Sequence, residues 1–136
     1  MNGTSGDRGF RNNNPGNIRH VSGVTWQGQT ETQTDPAFTQ FVDPVYGIRA
    51  IVRIMRSYQR EGLTTVSQVI DRWAPPNENN SAAYVAAVCA SIGCQPGDPL
   101  DFIAVMPVLV KAIILHENGS QPYTDGQINQ GIALAG

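Results

Sequence analysis

The run KAIILHENGSQPY contains the side chain with the clearest capacity for chemistry, Glu117. It follows Val108, Leu109, Val110, Ala112, Ile113, Ile114 and Leu115, which are apolar on nearly every helical face, so this helix is expected in the core. Gly119 supplies a natural left-handed stop. A glutamate in the last turn faces the carbonyl end of the helix dipole, which repels negative charge. Partial burial acts in the same direction, and both effects favour the protonated carboxyl. A carboxyl protonated near neutral pH can donate to a poor leaving group, and the bridging oxygen of a glycoside is one. Breaking a local helix rule in this way is a mark of functional sites. The plainer alternative is a solvated helix end, or a carboxylate paired with an arginine.

The elements that must position Glu117 are mostly helical. Asp43-Pro44 reads as an N-cap with proline at the first helical position, opening a helix to about Arg60. Arg49, Arg53, Arg56 and Arg60 share one side of it, either as a solvated face or as a surface for the carboxylates of peptide stems. After Gly62, Thr64 or Thr65 can cap a shorter helix to Trp73. A stiff polar loop, APPNENN, leads to a helix that starts at Ser81 and is closed by Gly93. Asp98-Pro99 repeats the cap-plus-proline device, and Pro107 is expected to kink or restart the helix that reaches Glu117. Residues 125–134 suggest a last, weak helix. Before these helices, RGFRNNNPGNIR at 8–19 has no periodicity and reads as irregular backbone. VSGVTWQG, QTETQT and AFTQF have the residue types of one small β-hairpin within 21–41. Residues 1–7 read as a loose tail, and 8–136 as a single domain of about five helices, mainly α with a minor β part.

Composition narrows the function classes. A chain of 136 residues, 40% hydrophobic and 15% charged, can bury a real core. The net charge of −2 argues against nucleic acid as the main ligand. Charge is uneven: residues 1–72 hold eight basic and six acidic side chains, and residues 73–136 hold one and five. Neither a CxxC pair nor an HExxH pattern is present, so no metal or cofactor is expected. Cys89 and Cys94, five apart, point away from each other on a continuous helix unless Gly93 lets the chain turn back. MNGTSGDRGF has no apolar core of a secretory signal. The stretch from Phe102 to Leu115 is shorter than a membrane span. These features predict a soluble chain made in the cytoplasm and not inserted in a membrane.

RGFRNNNPGNIR, WQG at 26–28, FVDPVYGIRA at 41–50, RWAPPNEN at 72–79 with Tyr84 following, and HENGSQPY at 116–123 together resemble a family of phage and prophage proteins. That family is described as virion structural or lysozyme-like proteins, and the likeness covers nearly the whole chain. A second likeness is to bacterial glucosaminidases and related lysozyme-like enzymes. In these an apolar helix ending in Glu-Ser-Gly precedes Asn-Asn-x-x-Gly-Ile-Lys, Trp-x-Gly and an aromatic hairpin. Here NNPGNIR at 13–19, WQG and the segment 38–41 resemble the later part, while HENG stands at the other end of the chain, as in a circular permutation. This order implies that Glu117 packs beside loop 12–17 and faces the hairpin.

The resemblance implies a phage enzyme acting on peptidoglycan glycan strands as a muramidase, glucosaminidase or lytic transglycosylase. It would reach the cell wall from the virion or from the host cytoplasm, with other virion proteins as further partners. A second carboxylate, needed at about 5–5.5 Å for retention or about 6.5–9.5 Å for inversion, would come from the hairpin, as Glu31 or Asp35. Lytic transglycosylases manage with one acid/base and the substrate's own hydroxyl. Asn14, Asn17 and Gln121 can hydrogen-bond sugar hydroxyls, and Trp26, Tyr84 and Tyr123 offer flat faces to sugar rings. The plainer roles are turn capping for the amides and core packing for the aromatics. The non-enzymatic alternative is a virion structural protein that keeps the lysozyme-like fold.

Overall fold

The computed structural model describes residues 6–74 and 80–136, with the side chains of Gly6 and Asp7 excepted. The expected tail at 1–7 and the polar loop at 75–79 therefore lie largely outside the described residues. The chain is mainly α, with six helices in the order α1 (Gly6–Arg11), α2 (Pro44–Arg60), α3 (Val66–Trp73), α4 (Ser81–Ile92), α5 (Phe102–Asn118) and α6 (Asp125–Leu134). The unforeseen helix is α1, whose six residues carry no hydrophobic period.

The caps explain where the other helices begin. Asp43 accepts the amide of Val45, with Pro44 in the first turn. Thr65 and Thr124 each form a capping box, with Gln68 and Gln127. Asn80 caps α4 by accepting from Ala83. The cap of α5 is Asp101, which accepts from Ile103 and Ala104, and not Asp98. Asp98 instead closes a turn with Gln95. Pro107 does not restart the helix. The carbonyl of Ile103, four residues back, loses its partner, but Ile103 is 90% exposed and water can take that role.

Helix α5 packs against α1, α2, α4 and α6, and α2 against α6. One core joins Ile48, Ile51, Val52 and Met55 of α2 with Val69 and Ile70 of α3, Val88 of α4 and Leu109, Ile113 and Ile114 of α5. Contrary to the sequence pattern, α5 is not buried all round: Ile103, Val108 and Leu115 face outward. The arginines of α2 are only partly a solvated face. Arg49 donates to the Leu134 carbonyl at 3.3 Å, Arg53 to Ala135 at 3.2 Å, and Arg56 to Gly136. They neutralise the negative end of the α6 dipole.

The expected β-hairpin is reduced to two isolated antiparallel bridges, Arg19 with Phe38 and Gln29 with Phe41. No strand forms among the described residues. Backbone bonds still cross the segment from His20 N to the Ala37 carbonyl, Thr39 N to Ile18, Thr30 N to Gln40 and Val42 N to Gly28, and side chains take other partners that a ladder would use. Gln33 Nε2 donates to the carbonyls of Thr30 and Gln40, and Gln33 Oε1 accepts from Gln40 N. Gln40 Oε1 accepts from Thr34 N, and Asp35 Oδ1 from Ala37 N and Phe38 N. Loop 12–17 crosses α2 at Gly47, where a Cβ would come within 2.2 Å of the Asn13 carbonyl oxygen. Only glycine allows that approach.

Candidate active site

Glu117 ends up inside the protein, 3% exposed, in the last turn of α5. Helix α3 brings Trp73 to it and α4 brings Tyr84, both fully buried. The Tyr84 hydroxyl donates to Glu117 Oε2 at 2.9 Å. The Trp73 indole N–H is shared between Tyr84 Oη at 3.0 Å and Glu117 Oε2 at 3.4 Å. Burial first, then the charge of Glu117 and the hydrogen bond to it, push the Tyr84 phenol well above its ordinary range. His116 stacks on Tyr84 with ring centroids 3.8 Å apart, and burial lowers its pKa while Glu117 opposes the shift.

Loop 12–17 seats against this helix end. Asn17 Nδ2 reaches the Glu117 carbonyl at 3.5 Å, a long contact, and Asn118 Nδ2 donates to the Pro15 carbonyl at 2.6 Å. Asn13 and Asn17 take left-handed backbone, φ 52° and 48°, a conformation asparagine tolerates better than most residues. Residues 12–17 thus lie beside the end of α5, the first of the two placements that the second resemblance implied.

The remaining candidates are distributed differently. Asn14 is 0% exposed and its amide is engaged within the protein, by the carbonyls of Ile18 and Thr39 and the amide of Ile18. Asn17 is equally buried. Asp35 lies under a bidentate Arg8 at 2.6 and 2.7 Å, with Asn12 Nδ2 at 3.0 Å. Arg8 and the other donors hold its carboxyl well below the usual carboxylate range. Glu31 is exposed. Among the described residues no hydrogen bond or ion pair joins Glu31 or Asp35 to Glu117. Arg19, which could have paired with Glu117, instead places its guanidinium 4.9 Å from the Phe38 ring centroid.

Trp26 is half-buried against the core. Tyr123 packs edge-on to Phe10 at 6.0 Å, and burial pushes its phenol up to about 12. Gln121 folds back on Tyr123, accepting its amide at 2.7 Å. It also lines a cleft of about 360 Å³ with Ser91, Val108, Lys111, Ala112 and Leu115. The cluster around Glu117 therefore gathers Glu117, Tyr84 and Asn17 from the sequence candidates. It adds Trp73 and His116, which had no assigned role. Trp73 was flagged only by its place in RWAPPNEN; nothing local says that its N–H would point at a carboxylate 44 residues later.

Among the described residues no group of three or more histidines, cysteines or carboxylates could hold a metal ion, and no helix is long and apolar enough to cross a membrane. What the arrangement offers chemically is one carboxyl, taken out of bulk water and oriented by a phenol and an indole. No family model matches the chain. Over 127 residues, 91% of this chain and 79% of the other, it is 42% identical to Protein P5 of Pseudoalteromonas phage PM2, and it belongs to that protein's family.

Proposed function

We propose that this phage protein folds as one lysozyme-like domain and cuts the glycan strands of bacterial peptidoglycan, with Glu117 as its general acid/base. The observation that carries the reading is the placement of Glu117. Its carboxyl is withdrawn from water against an indole and a phenol, at the end of an apolar helix and beside the asparagine loop. A carboxyl set against an indole in an apolar pocket is a recurring arrangement for protonating a glycosidic oxygen. With Asp35 bound up by Arg8 and Glu31 exposed, one-carboxyl chemistry fits better than a two-carboxylate mechanism. Glu117 gives its proton to the leaving oxygen as the glycan's own hydroxyl attacks the anomeric carbon, the proton of that hydroxyl passes to the Glu117 carboxylate, and the product carries an anhydro end.

The rival reading is a non-enzymatic virion component that contacts other virion proteins. One observation favours it: the Glu117 side chain ties α3, α4 and α5 together, as a purely structural group would. Purified wild type and Glu117→Gln, both checked for folding, would be compared for clearing of peptidoglycan suspensions. The enzymatic reading expects clearing by wild type and loss of at least about 100-fold in the variant. No clearing by folded wild type supports the structural reading, and equal clearing by both removes Glu117 from the chemistry. Mass spectrometry of the released muropeptides separates anhydro from reducing ends.

A further inference from the structure

We propose that Cys89 and Cys94 form a redox-active dithiol that closes to an intramolecular disulfide at the C-terminal end of α4. On an uninterrupted helix, residues five apart lie on different faces. Gly93, at φ 85°, ends the helix in the left-handed conformation and turns the chain back. The amides of Gly93 and Cys94 then both reach the Cys89 carbonyl, at 2.7 and 3.2 Å. The second of these is the six-to-one bond of a Schellman turn, whose geometry sets the side chains of these two positions against each other. In most such turns that contact is a pair of aliphatic groups. Here both positions carry a free thiol.

The two sulfurs are not equivalent. Cys94 is half-buried and Cys89 is buried. Burial first, then the neighbouring Cys94 thiol and the Asp98 carboxylate, push the Cys89 thiol up to about 11. An oxidant therefore meets Cys94 first. With a small disulfide of the glutathione class, the Cys94 thiolate attacks one sulfur, a mixed disulfide forms and one thiol leaves. Cys89 then gives up its proton and attacks Cys94 Sγ, and the second thiol leaves. Two S–H bonds have become one S–S bond, and the donor disulfide has been reduced to two thiols. Because the second step requires the Cys89 thiolate and burial disfavours it, that step quickens as pH rises.

The bond would secure more than one turn. The segment after Cys94 docks on the start of α3 through Ser67 N to the Pro96 carbonyl at 3.2 Å and Leu100 N to the Thr64 carbonyl at 2.8 Å. Helices α3 and α4 carry Trp73 and Tyr84, so the disulfide braces the two elements that orient Glu117.

The test treats the reduced full chain with oxidised glutathione and follows intact mass, non-reducing peptide maps and Tm. The expected result is a monomer lighter by two hydrogens, with Cys89 linked to Cys94. Its Tm should rise by roughly 5 °C, as befits a very short loop, and fall back with dithiothreitol. Cys89→Ser should accumulate the glutathione adduct on Cys94, and Cys94→Ser should stay unmodified until the chain is unfolded in urea. A lasting glutathione adduct on wild-type Cys94, a disulfide-linked dimer, or no reaction of the folded chain would overturn the proposal.

Discussion

Asn14 offers the sharpest test of how loop 12–17 is built. Its side chain is 0% exposed and makes three short hydrogen bonds: to the Ile18 carbonyl at 2.9 Å, to the Thr39 carbonyl at 2.8 Å, and from the Ile18 amide at 2.9 Å. Truncation to alanine leaves the buried Thr39 carbonyl and Ile18 N–H without that partner, each costing about 1–3 kcal/mol, while the Ile18 carbonyl keeps the Thr39 amide. A total of about 3–5 kcal/mol follows once the cavity partly relaxes, equivalent to a Tm loss on the order of 10–20 °C. Asn14→Asp sharpens the test, because it keeps the shape and the acceptor facing Ile18 N. It replaces the donor, however, with an oxygen aimed at two carbonyl oxygens. That carboxyl is tolerated only when protonated, so its native pKa lies above the unfolded value near 4. The sign follows: the unfolded chain releases its proton first, and stability falls by about 1.4 kcal/mol per pH unit as pH rises above 4, until the native carboxyl ionises as well. Urea unfolding of wild type and both variants between pH 4 and 8 would measure it. Asn14→Asp should approach wild type at the acid end and Asn14→Ala at the neutral end, while the wild-type to alanine difference stays flat. An aspartate variant within about 0.5 kcal/mol of wild type at pH 8 would refute the reasoning, and would free Asn14 for a role at the surface.

Two further outcomes follow from the structure. Tyr58 and Tyr123 titrate near 12 and Tyr84 well above 10, all chiefly because burial disfavours the phenolate. The unfolded chain ionises first, so unfolding free energy should decline steadily from about pH 10 to pH 12. A phenolate absorbance titration that completes near pH 10 in the folded chain would contradict this. The double variant Arg49→Ala/Arg53→Ala removes two donors to the carbonyl end of α6 and should cost about 1–2 kcal/mol. Its effect should shrink with added salt and appear first as protease cleavage within residues 125–136; unchanged proteolysis would show that α6 is held by its apolar contacts alone.

Where local chemistry decides structure, the sequence was readable. Asp43-Pro44 opened α2, Thr65 capped α3, and Gly93 and Gly119 stopped α4 and α5. It was misleading where two local devices competed. Asp98-Pro99 has the form of a cap, yet Asp101 three residues later does the capping. The segment 21–41 has strand-forming residues, yet Gln33, Asp35 and Gln40 satisfy part of its backbone from their own side chains. A short amide or carboxylate can reach a neighbouring N–H without any ladder, and composition alone does not show which of the two wins.

The chain by itself determined that Glu117 ends an apolar helix, that an asparagine-rich loop precedes the helical part, and that α-structure predominates. These depend on period, capping and turn residues within a few positions of one another. Only the tertiary structure decided which groups meet that carboxylate. Trp73 and Tyr84 come from 44 and 33 residues away along the chain, and Asn17, which reaches the backbone carbonyl of the same residue, from 100. Tertiary packing likewise turned the arginine row of α2 toward the end of α6 and tied Asp35 to Arg8. Such pairings depend on how whole helices settle on a shared core, and that is a property of packing over long separations which no local window contains.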